Sequence, residues 1–102
     1  MPSQHFLIKY QFKEGSEPQW REEIAKFISA VDADPTLKGK LSYLCMKNRT
    51  GSDYYHLARA ADDQTVKKLQ GSAYFEHYTH RLKVVSGGTV EVLPLEIIGE
   101  TG

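Results

Sequence analysis

Apolar and polar residues alternate from His5 to Lys13, with Phe6, Ile8, Tyr10 and Phe12 on one side and Leu7, Lys9 and Gln11 on the other. A period of two predicts a half-buried strand. Glu14-Gly15-Ser16 ends it, and Ser16-Glu17-Pro18-Gln19 reads as a capping box with proline tolerated in the first turn of a helix. The apolar spacing then changes. Trp20, Ile24, Phe27 and Val31, joined by Ile28, form one stripe of a helix that must be buried, and Asp34-Pro35 stops it.

After the Gly39 turn, Leu41–Asn48 alternates as a second strand. Arg49-Thr50-Gly51-Ser52 supplies the glycine and small polar residues of a hairpin loop, so Tyr54–Ala61 should run antiparallel to it as strand three. Asp62-Asp63 offers an N-cap and charge suited to a helix N-terminus, and the following helix carries Val66 and Leu69 and breaks at Gly71. Ser72 caps a further helix to Val85, with Phe75, Tyr78, Leu82 and Val85 on one stripe and Tyr74 beside it. Gly87-Gly88 releases the chain into a fourth strand over Thr89–Ile98.

The order β-α-β-β-α-β, with the second helical stretch in two pieces, predicts an α+β, ferredoxin-like sandwich: helices on one face of a four-stranded antiparallel sheet. The other face also needs cover. Leu7, Leu57, Leu93, Leu95 and Ile97 are too many large apolar groups to leave in water, which is the signature of an interaction surface. Two such sheets packed face to face would make a dimeric α+β barrel, with Leu95–Ile98 reaching toward the partner. Arg59 shares that face, and Glu91 has the parity to pair with it.

A chain of 102 residues fits one domain, 1–102, small enough for dimerisation to add usefully to burial. Thirteen basic and thirteen acidic side chains cancel, leaving no field to attract nucleic acid or an anionic membrane; the expected partner is a small neutral molecule. The single cysteine, Cys45, fits a reducing compartment and a packing role. The first residues lack the features of a signal peptide and no apolar run is long enough to span a bilayer, so a cytoplasmic location is expected. No glycine-rich phosphate loop follows a strand, and His77 and His80 have the wrong spacing and no acidic third ligand for a metal, so neither a nucleotide cofactor nor a metal is expected.

Ser72-Ala73-Tyr74-Phe75, with Leu69 one turn before it and Val90-Glu91-Val92 after it, resembles the antibiotic biosynthesis monooxygenase family. The resemblance implies a small dimeric barrel with a cavity between the sheet and the helices, and an activity that needs no cofactor. Ser72–Phe75 set on the family's Ser-x-His-Phe pattern puts Ala58 and Ala60 where members often carry glutamate and tryptophan. Leu69 and Tyr74 fall where members often carry histidine. These departures remove polar groups and should enlarge the cavity. The haem-degrading branch of the same fold would place a tryptophan and a histidine where Ala61 and Thr79 stand, which disfavours haem as substrate.

By strand alternation Tyr54 and His56 share the face of Ala58 and Ala60, so His56 is the titratable group best placed to enter that cavity and act as a general base on a phenol or enol. The competing reading is a buried histidine held by one hydrogen bond. His77, near the edge of the last helix's apolar stripe, is a second candidate at a pocket mouth, whereas His80 points to solvent. Tyr10, Tyr43, Tyr54 and Tyr74 are the expected lining for a flat aromatic ligand. The function expected from these residues and the resemblance together is cofactor-independent monooxygenation of a small phenol, anthrone or quinol. The alternative is a ligand-binding or stress-response dimer without catalytic groups.

Overall fold

Each predicted element forms, in the predicted order. The computed structural model describes residues 3–102. It contains β1 (Gln4–Gln11), α1 (Glu17–Ala33), β2 (Leu41–Lys47), β3 (Asp53–Ala60), α2 (Asp63–Gln70), α3 (Ala73–Val85) and β4 (Val90–Leu95). The sheet order is β2-β3-β1-β4, antiparallel throughout, with the helices on one face: the ferredoxin-like sandwich.

The helix ends are made by the residues that the sequence marks. The Ser16 hydroxyl accepts from the Gln19 N–H, the Asp62 carboxylate from Thr65, and the Ser72 hydroxyl from Phe75, each satisfying a backbone donor that the first turn leaves open. At Gly87 and Gly88 the backbone takes φ of 68° and 91°, a left-handed turn that a side chain would strain. That turn lets Val85 O accept from the backbone N–H of Lys13 at 2.7 Å, tying the end of α3 to the end of β1.

The core lies between sheet and helices. Trp20, Phe27 and Val31 of α1 meet Tyr78, Leu82 and Val85 of α3 over Tyr10 and Tyr54 of the sheet. Leu37, in the turn before β2, is 1% exposed and closes one end of this core. Periodicity gave no hint of it, because a single residue in a turn has no period.

Register sorts the strands into two faces. Toward the helices lie Phe6, Ile8 and Tyr10 of β1, Tyr54, His56, Ala58 and Ala60 of β3, and Tyr43 and Cys45 of β2, with Cys45, His56, Ile8 and Val92 forming one row across all four strands. On the opposite face Leu44, Leu57, Leu7 and Leu93 form another complete row. Leu44, Met46, Leu93 and Leu95 are exposed there. Arg59 and Glu91 share this face but sit in different rows, Arg59 opposite His5 and Glu91 opposite Lys9. Among the described residues they make no ion pair, and Arg59 instead donates to the Ser3 hydroxyl at 3.5 Å. β4 is shorter than the sequence predicts. It is an edge strand, and its ladder with β1 ends where Leu95 meets His5, one residue from the start of β1.

Candidate functional site

His56 is the centre of the polar chemistry inside the fold. It stands in mid-strand on β3, which turns it toward the helices, and it has no solvent exposure. Three tyrosine hydroxyls surround it: Tyr10 at 2.8 Å from Nε2, Tyr78 at 2.9 Å from Nδ1, and Tyr43 at 3.0 Å from Nδ1. Trp20 Nε1–H donates to the Tyr10 oxygen at 2.9 Å.

This chain of contacts selects a tautomer. With its oxygen already accepting from Trp20, Tyr10 uses its own proton best by donating to Nε2, since a buried hydroxyl left without an acceptor costs about 1–3 kcal/mol. The imidazole proton then resides on Nδ1 and is shared between the oxygens of Tyr78 and Tyr43, whose hydroxyls also contact each other, with Cys45 as a further partner of Tyr78. Among the described residues no carboxylate bonds the ring, so burial dominates: it holds His56 down at about 4, below its usual 6.5, and the ring is neutral. Burial likewise raises the phenols of Tyr10, Tyr43 and Tyr78 and pushes the Cys45 thiol up to about 11, the Tyr78 hydroxyl acting against the last of these. Every group in this cluster is held in its uncharged form at neutral pH.

The rings are held as firmly as the hydrogen bonds. Tyr78 is stacked on Phe27 at 4.0 Å and on Trp20 at 5.5 Å, while Tyr43 meets Phe27 edge-on at 4.9 Å. Their hydroxyls therefore stand on pre-organised supports.

A cavity of about 440 Å³ lies beside this cluster, between the sheet and the helices. Phe6, Ile8, Ala58 and Ala60 form its sheet side, and Val66, Leu69, Phe75 and Leu82 its helix side. Val90 and Val92 line it along β4, and Tyr43 and Tyr78 bring its phenols. The two alanines are what leave the space open, as the sequence led one to expect. A mainly apolar space with a few convergent polar groups is the usual form of a small-molecule site.

The structure divides the residues singled out from the sequence. Tyr43 lines the cavity. His56 is on the expected side of the sheet, but it lies behind Tyr43 and Tyr78 rather than on the cavity wall. Three of the four tyrosines expected as lining are not lining. Tyr10 is committed to His56 and Trp20. Tyr54 is stacked on Tyr10, its partner in the same row, at 5.3 Å, and the Tyr74 hydroxyl bonds Asp34 at 2.9 Å at the end of α1. His77 is also elsewhere: it is exposed, 3.1 Å from Glu23, in a surface cleft with His80. Tyr78 is the residue that sequence reasoning placed in the core without a role. Its stripe position beside Phe75 and Leu82 was the available signal, but only packing shows its hydroxyl against His56. Among the described residues no group of three metal-ligating side chains occurs, and no helix is long and apolar enough to cross a membrane.

No protein-family model matches the chain, and no curated protein matches its sequence. Solved structures do match its fold. SnoaB, a cofactor-independent oxygenase from Streptomyces nogalater, superposes with a TM-score of 0.78 at 14% identity over 98% of this chain and 97% of that one. Rv0793 from Mycobacterium tuberculosis gives 0.80 at 14% identity over 99% and 100%. A structure described as an antibiotic biosynthesis monooxygenase gives 0.78 at 6% identity over 94% and 99%. Near-complete coverage in both directions at this level of superposition establishes that the chain has the fold of the antibiotic biosynthesis monooxygenases.

Proposed function

We propose that this protein is a cofactor-independent monooxygenase that binds a flat phenol, anthrone or quinol in the cavity between sheet and helices. The observation that carries the reading is the pair of buried phenols, Tyr43 and Tyr78, held by one neutral histidine against an apolar cavity. In this reaction class the electron-rich anion of the substrate itself reduces dioxygen. Dioxygen adds to a substrate carbon as a hydroperoxide, which loses water so that one oxygen atom stays as a carbonyl and the other leaves in the water. The protein's task is to hold the substrate and favour its anion.

The geometry favours the anion through donors rather than through a buried base, the substrate proton passing to solvent. His56 at a pKa of about 4 is a weak acceptor for a phenolic proton, and the nitrogen that faces Tyr43 and Tyr78, Nδ1, already carries hydrogen. By donating to Tyr43 and Tyr78 it leaves their O–H protons for other acceptors, Cys45 and each other among them, and a substrate oxygen that replaces such a partner would gain donors that stabilise a developing oxyanion in an apolar site. His56 is then a positioning residue. The exposed leucine row supports a homodimer through the other face of the sheet, since such a patch is buried in water-soluble proteins that keep it.

A second reading rests on the same neutrality of His56: a barrel that binds an aromatic ligand and turns nothing over. Oxygen uptake by metal- and flavin-free protein with an activated anthrone or hydroquinone separates the two. Tyr43→Phe or Tyr78→Phe should each slow uptake by about 10²-fold, the typical worth of one oxyanion donor. His56→Ala should slow it as well, and His77→Ala should leave it unchanged. Tight binding without uptake across such substrates would support the binding protein instead, and full activity in both phenylalanine variants would refute the donor mechanism.

A further inference from the structure

The cavity wall carries one charged side chain, Lys83 of α3. The rest of the lining is apolar apart from Tyr43, Tyr78, Gln70 and Thr79. Lys83 and Thr79 also line the outer cleft that holds Glu76, His77 and His80, so they stand where the cavity meets the surface. Among the described residues Lys83 makes no ion pair, the three that occur being Arg21–Glu17, Lys47–Glu17 and His77–Glu23. Its ammonium is thus uncommitted, on a flexible stem, at the rim of an apolar space.

Spacing along α3 gives the site a second polar pole. Lys83 is five residues beyond Tyr78, about 7.5 Å along the helix axis and about 140° around it, which puts Tyr78 in the interior and Lys83 at the exposed rim. Both side chains border the same cavity. A ligand whose hydroxyl or carbonyl meets the phenols therefore presents its far end to Lys83, with the Gln70 carboxamide as a neighbouring donor. Lys83 is exposed, so a neutral end would leave its ammonium in water, whereas an anionic end would add a charge pair at the mouth of the apolar space.

We propose that Lys83 anchors a carboxylate, so that the ligand is an aromatic acid of two or three fused rings with a hydroxyl or carbonyl at the end away from the acid group. This rests on the cavity reading above and adds to it the ligand's charge and length. Lys83 acts as a specificity-determining residue and takes no part in forming the reactive anion.

A matched pair of ligands tests it: 6-hydroxy-2-naphthoate and its carboxamide, titrated by fluorescence into the intact protein, into Lys83→Gln, into Lys83→Arg, and into Ala58→Leu, which fills the cavity. The carboxylate should bind about fivefold tighter than the amide, the advantage of one partly exposed charge pair. That ratio should fall with added salt, approach unity in Lys83→Gln and return in Lys83→Arg. Ala58→Leu should weaken both ligands. Equal affinities in the intact protein, or a ratio unchanged by Lys83→Gln, would overturn the anchor while leaving the cavity reading standing. Binding of neither ligand, or binding indifferent to Ala58→Leu, would overturn both.

Discussion

Mild acid should destabilise the fold through a single side chain. Unfolded, His56 takes up a proton near its usual 6.5; folded, among three phenols and no carboxylate, it resists until about 4. The folded-state value is depressed, so the stabilisation is fully present above pH 6.5 and is lost as pH falls from 6.5 toward 4, where the native state also protonates. Two and a half units correspond to about 3 kcal/mol, a large share of the stability of a small domain. Urea unfolding at pH 7.5 and 4.5 measures most of that loss. His56→Gln provides the reference, since its amide neither titrates nor leaves the phenols without a polar partner. Glu17, Asp34 and Asp62, held below the usual carboxylate range by hydrogen bonds from Lys47, Thr36 and Thr65, are common to both proteins and cancel in the difference. The native protein should lose about 2 to 3 kcal/mol more than His56→Gln between the two pH values. Parallel losses would refute the reasoning, as would an imidazole resonance of folded His56 that titrates near 6.5.

Three other outcomes follow from named contacts. Leu93→Asp places a carboxylate in the leucine row; sedimentation should show the native chain as a dimer at micromolar concentration and the variant as a folded monomer, and a monomeric native chain would remove the proposed interface. Ser72→Ala deletes the α3 cap, whose hydroxyl accepts from Phe75 N–H and donates to Leu69 O, and should cost about 1 kcal/mol in chemical denaturation. Trp20→Phe keeps the stacking on Tyr78 but removes the donor that fixes the Tyr10 proton, so the His56 tautomer, read from imidazole nitrogen shifts, should become mixed; an unchanged Nδ1–H spectrum would refute the tautomer argument.

What the sequence determined by itself was whatever local pattern encodes. The alternation of Phe6, Ile8 and Tyr10, the stripe Trp20-Phe27-Val31, the caps at Ser16, Asp62 and Ser72 and the turn at Gly87-Gly88 each act within a few residues, and together they specify the β-α-β-β-α-β order and the two-faced sheet. The same parity put His56 on the helix side and the leucines on the other. Tertiary structure alone decided what His56 touches. Tyr10, Tyr43 and Tyr78 come from three elements, 46, 13 and 22 residues away in sequence, and their convergence depends on strand register and on where α3 crosses the sheet. Those same contacts withdrew Tyr10 from the cavity and turned a residue whose ordinary pKa suits a base into a neutral one. Burial and hydrogen-bond partners set proton affinity, and both belong to the packed chain rather than to any segment of it.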